Sequence, residues 1–84
     1  MKYHEILTKP FLNDVKSIKK DKILLERLHK KMDGILENPE HYPPKKYNLK
    51  NKRSAHIGSF VILFEIDDDK LIFLKFRHHD YVYG

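Results

Sequence analysis

Phe60-Val61-Ile62-Leu63-Phe64-Glu65-Ile66, then Asp67-Asp68-Asp69, then Leu71-Ile72-Phe73-Leu74-Lys75-Phe76 is the stretch that decides the fold. The first run is nearly all apolar and either β-branched or aromatic, which is the composition of a central strand buried on both faces. Three consecutive aspartates interrupt it and mark a hairpin turn, so the second run returns antiparallel to the first. The turn contains no glycine, which leaves its type open. Upstream, Ser54 to Ile57 reads as a further strand and Gly58 as a turn or bulge. Lys45 to Leu49 reads as a short edge strand after the rigid connector Tyr42 to Pro44.

The first half of the chain reads differently. Lys2 to Leu7 is a short strand, and Thr8 followed by Pro10 is a helix start: a hydroxyl cap, then a proline whose missing N–H costs nothing in the first turn. Phe11, Val15 and Ile18 recur at helical spacing with Leu12 beside them, so the helix runs to about Lys20. Asp21 caps a second helix whose apolar stripe is Leu25, Leu28, Met32, Ile35 and Leu36, and Asn38-Pro39 ends it. Lys22, Glu26, Arg27, Lys30, Asp33 and Glu37 lie mostly on its other faces. The order is strand, helix hairpin, then a meander of three or four strands. The class is α+β, with the N-terminal strand and helix hairpin packed on one face of a 3–4-stranded antiparallel sheet. The opposite face is expected to be free to bind.

Composition narrows the function. The 84 residues suffice for one small domain, here taken as residues 1–84, and for no separate cofactor domain. There is no cysteine, which excludes a disulfide scaffold, a thiolate zinc site and a cysteine nucleophile, and suits a cytoplasmic location. No apolar run approaches a membrane span, and no signal-peptide pattern opens the chain, so no membrane partner is expected. The net charge of +5 is localised: Lys45, Lys46, Lys50, Lys52 and Arg53 lie within nine residues without an acid among them, and the remaining twelve bases balance twelve acids. With Tyr47 and Asn48 inside it, this run suits a phosphate backbone.

A second unusual density lies near the C-terminus, in Arg77-His78-His79-Asp80-Tyr81-Val82-Tyr83. His56 sits near the start of the strand that precedes the His78 strand, and a meander brings that start close to the end of the following strand, so His56 and His78–Asp80 are expected to be neighbours at one end of the sheet. Such groups cut RNA without metal. A base takes the 2′-hydroxyl proton, an acid protonates the departing 5′-oxygen, and a cation steadies the extra charge on the phosphate. Imidazole suits both proton transfers. A zinc site from His56, one of His78 and His79, and Asp80 is the competing reading. Neighbours on an extended strand point to opposite faces, and no i, i+4 histidine pair supports it, so no metal and no cofactor are expected.

These residues together resemble the RelE/ParE superfamily of toxins from toxin–antitoxin pairs. The resemblance covers nearly the whole chain. It rests on the short strand, the helix hairpin ending in Glu37-Asn38-Pro39, the basic stretch Lys45 to Arg53, Ile57-Gly58-Ser59-Phe60 leading into Glu65-Ile66, and His78-His79-Asp80-Tyr81-Val82-Tyr83. It implies a RelE-like, microbial ribonuclease-like fold. It also implies an endoribonuclease that cleaves messenger RNA, typically on the ribosome, to inhibit translation, and a cognate antitoxin that blocks it. By position, Lys50, Lys52 and Arg53 resemble the family's phosphate-holding bases, with Lys45 and Lys46 in the same run. Tyr83 resembles its C-terminal tyrosine. Arg77, His78 and His79 fall where the family places a late Arg or His acting on the leaving group. Many relatives carry an Arg where this chain has Val61, and His56 stands nearby as a compensating group. Two other functions remain: a ParE-like inhibitor of DNA gyrase, and a non-catalytic RNA-binding or ribosome-binding module. The paired histidines argue against the gyrase reading, which has no need of them.

Overall fold

The computed structural model describes residues 3–44 and 51–82. The order is β1 (His4–Leu7), α1 (Lys9–Ser17), α2 (Lys22–Glu37), a 3₁₀ turn (Pro39–His41), β2 (Lys52–Ile57), β3 (Phe60–Asp67) and β4 (Lys70–His78). The expected edge strand at 45–49 lies outside the described residues.

The helix signals act as anticipated. The Thr8 hydroxyl accepts from Phe11 N at 3.4 Å, and the Asp21 carboxylate accepts from Leu24 N at 3.1 Å, each satisfying a donor that a helix start leaves orphaned. α1 stops at Ser17 rather than near Lys20, because Ile18 and Lys19 turn back in short bonds to Val15 and Lys16. That tightening frees Asp21 to cap α2.

The sheet order is β1-β4-β3-β2. β2, β3 and β4 form the expected antiparallel meander, but β1 pairs parallel with β4, from His4 opposite Lys70 to Leu7 opposite Phe73. The sheet is therefore mixed, which corrects the all-antiparallel expectation. The reason is topological: the two helices carry the chain from one edge strand to the opposite edge, and a crossover of that kind delivers parallel strands.

Both two-residue turns of the meander place a positive φ at their first residue, +57° at Gly58 and +59° at Asp68. With Ile57 opposite Phe60 and Asp67 opposite Lys70, these are type II′ hairpins, whose twist matches that of the strands. The missing glycine at the second turn is thus replaced by an aspartate in a left-handed conformation.

One face of the sheet carries the main core. Ala55, Ile57, Ile62, Phe64, Leu71, Phe73 and Phe76 pack against Phe11 of α1 and Leu28, Met32 and Ile35 of α2. Phe73 and Phe76 cannot share a face in a regular strand of period two. A register shift between Leu63 and Phe64 breaks the period, and Lys75 rather than Leu74 lies opposite Leu63. Phe76 then stacks on Phe60 at 5.1 Å while Phe73 meets Phe11 at 5.2 Å. The opposite face is not free, as it was expected to be. Val61 and Leu63 are buried there beneath Val82, with Leu74 packed alongside. A turn from the His78 carbonyl to Tyr81 N, 2.9 Å, brings the chain back over the sheet.

Candidate active site

β4 ends at His78, and the chain then turns instead of continuing extended. The strand rule that sends neighbours to opposite faces therefore lapses at this point. The rings of His78 and His79 lie 4.5 Å apart, and both meet Asp80. His78 Nδ1 is 3.4 Å from one carboxylate oxygen and His79 Nε2 is 3.1 Å from the other. The Asp80 backbone N–H donates to His78 Nδ1 at 3.2 Å. His79 is fixed from a second side by the β2–β3 turn: its backbone N–H donates to the Ser59 carbonyl at 2.8 Å, and its Nδ1 lies 3.3 Å from the same oxygen.

Both ring nitrogens of His79 thus lie beside oxygens, of Ser59 and Asp80, whereas His78 Nδ1 lies beside both the Asp80 carboxylate and the Asp80 backbone N–H. One ligand atom each from His78, His79 and Asp80 lies within 4.8 Å of the others, so this trio could also hold a metal ion, without the His56 that the zinc reading had included.

The other expected site residues are dispersed. His56 is exposed on edge strand β2 and pairs with Val61, which in turn pairs with Arg77. One strand thus separates His56 from β4, roughly 10 Å between Cα atoms at ordinary strand spacing. His56 lies on the Val61 face of the sheet, whereas His78 sits opposite Phe60 and meets its ring edge-on at 5.9 Å, toward the helical face. The structure gathers His78, His79 and Asp80 and leaves His56 apart at the same end of the sheet. Lys45, Lys46, Lys50 and Tyr83 lie outside the described residues.

Three expected phosphate-binding or catalytic cations already have partners. Lys52 pairs with Glu65 at 3.5 Å, directly across the β2–β3 ladder. Arg53 Nη1 donates to the Tyr42 carbonyl and ties the connector to the sheet, at 2.6 Å. Arg77 Nε lies 3.1 and 3.2 Å from the two oxygens of Asp14 on α1. Asp14 drew no notice in the sequence. β1 covers β4 only as far as Phe73, and Asp14 takes the next free edge donor, Phe76 N, at 3.0 Å. No local pattern signals this role, because its partners are more than sixty residues away.

Comparison with known proteins agrees with this architecture. Residues 6–83 match the family model described as the ParE toxin of type II toxin–antitoxin systems. This chain belongs to that family. The toxin is 38% identical to a protein of Methanocaldococcus jannaschii named RelE4, over 95% of this chain and 90% of that one. Its fold is similar to the Escherichia coli DinJ–YafQ toxin–antitoxin complex (TM-score 0.81, 19% identity, all of both chains). It is also similar to the RelBE2 complex of Mycobacterium tuberculosis (TM-score 0.79, 21% identity, 94% of this chain and all of that one). The α+β expectation and the RelE/ParE resemblance therefore both hold. No helix of the toxin among the described residues is long and apolar enough to cross a membrane.

Proposed function

We propose that this toxin is an endoribonuclease that cleaves messenger RNA at the ribosome without a metal ion, and that a cognate antitoxin holds it in check in the cytoplasm. The observation that carries the reading is the anchoring of His79 between the Ser59 carbonyl and Asp80, with both ring nitrogens facing acceptors. His79 acts as the acid that protonates the departing 5′-oxygen. His56, exposed at the same end of the sheet, is the base that takes the 2′-hydroxyl proton. His78 and Asp80 are positioning residues that fix the His79 ring. Positioned acid and base groups contribute on the order of a hundredfold or more each. The two solved toxin–antitoxin complexes with this fold support an antitoxin partner here.

The ParE name of the family favours a second reading, inhibition of DNA gyrase by binding. One experiment separates the two. Primer extension on messenger RNA during expression should show new 5′ ends with the parent and none with His79→Ala, while gyrase supercoiling in the presence of pure toxin should proceed normally. Inhibited supercoiling with intact messenger RNA would reverse the assignment.

A further inference from the structure

Arg27, Lys30 and Lys31 follow the i, i+3, i+4 spacing that places side chains on one stripe of a helix. With Gly34 a turn further on, they form one wall of an open groove of about 400 Å³, and Tyr42, His56, Ile57 and Gly58 stand on its other side. Lys31 is half-buried, and Arg27 and Lys30 are exposed. The ion pairs formed among the described residues engage none of the three. The groove therefore offers three unengaged cations, whereas Lys52, Arg53 and Arg77 are already held.

Gly34 is an independent observation. Glycine within a helix costs stability relative to alanine. Here a Cβ would meet nothing within 4 Å, so the chain's own packing does not require the residue to be small. What its absent side chain leaves is room for something outside the chain to approach the helix closely.

We propose that this groove binds the phosphodiester backbone of RNA and leads the substrate along α2 to His56 and the His79 site; the proposal rests on the nuclease reading of that site. Continuity supports it, because Gly58 borders the groove and the next residue, Ser59, holds His79. Chemistry favours RNA over an acidic polypeptide. A protein partner needs buried apolar anchors, and apolar clefts among the described residues lie elsewhere, one between Pro10, Leu63, Leu74 and Val82 and another between Leu12, Val15 and Leu25.

The test uses the whole toxin and a 2′-O-methyl RNA oligonucleotide, which has no attacking hydroxyl and cannot be cut. Affinity is measured from low to high salt for the parent, the triple variant R27Q/K30Q/K31Q and Gly34→Leu. Three lost phosphate contacts should reduce the slope of log affinity against log salt by about 2, at roughly 0.7 per contact for a single strand. Binding near 0.1 M salt should fall at least tenfold. Gly34→Leu should weaken binding several-fold with no charge altered, and Gly34→Ala should raise the thermal midpoint, since the site is open. A triple variant with the parent's slope and affinity overturns the groove. So does polyglutamate binding the parent more tightly than the oligonucleotide. If the parent cuts messenger RNA and only the groove result fails, the nuclease reading stands alone. If groove binding is lost as expected while His79→Ala cuts like the parent, the groove stands and the acid assignment falls.

Discussion

Asp14 and Arg77 lie 63 positions apart in sequence and meet at 3.1 Å, with the Asp14 carboxylate also taking the Phe76 amide. The carboxylate is mostly buried and the guanidinium partly exposed. The pair closes the edge of β4 that β1 leaves uncovered, so Arg77 serves the fold as well as any substrate. A double-mutant cycle with Asp14→Ala and Arg77→Ala should give a coupling of about 1 kcal/mol in urea unfolding, the value of a charge-assisted bond discounted for its exposure. Additive effects would show that the contact contributes nothing.

His79→Ala should lower cleavage by roughly a hundredfold or more while shifting unfolding by no more than ~0.5 kcal/mol, because the ring is exposed. The pH profile separates the two histidines. Base catalysis needs a deprotonated ring and fails at low pH, and acid catalysis needs a protonated one and fails at high pH. His56→Ala should therefore remove the acidic limb of the bell and His79→Ala the alkaline limb. Loss of the same limb in both variants would refute the division of labour.

Cleavage by the purified toxin should be unchanged after dialysis against EDTA. Activity that disappears with the chelator and returns with zinc or another divalent ion would convert His78, His79 and Asp80 from positioning and acid groups into metal ligands, a role their spacing permits.

Gly58→Ala and Asp68→Gly probe the two hairpins with opposite sign. The Gly58 turn has open space around a Cβ, so alanine costs only backbone strain, about 1–2 kcal/mol at positive φ. It also displaces the neighbouring carbonyl that holds His79, so cutting should fall along with stability. Asp68→Gly relieves the same conformation and should stabilise the protein by about 0.5–1 kcal/mol in thermal unfolding, leaving activity intact because that turn lies at the far end of the sheet.

Much of this architecture is legible in the residues. Thr8 and Asp21 announce the helices through local chemistry, and Phe60 to Ile66 announces a central strand because burial on both faces removes the polar alternation. What escapes is whatever depends on distant partners. The parallel seat of β1 depends on where the crossover ends, and Asp14 has value only against an edge sixty residues away. The irregularity beside Leu74 puts Phe73 and Phe76 on one side where alternation would split them. The histidine site is half legible. Composition marks His78, His79 and Asp80, but the rule that separates strand neighbours fails once the strand stops at His78. Reading Val61 as unable to hold a phosphate agrees with its burial, and the cover over it, Val82, shows no sign of that role in sequence.

The parallel pairing of His4–Leu7 with residues 70–73 has a consequence for biosynthesis. During translation the first strand must wait for a mate made more than sixty residues later. The meander can assemble from near neighbours, but the sheet's last seam closes only when β4 leaves the ribosome exit tunnel, and that contact of high sequence separation is the slow one. Since His78 and His79 stand at and just after the end of β4, they take up their positions only with that same late seam.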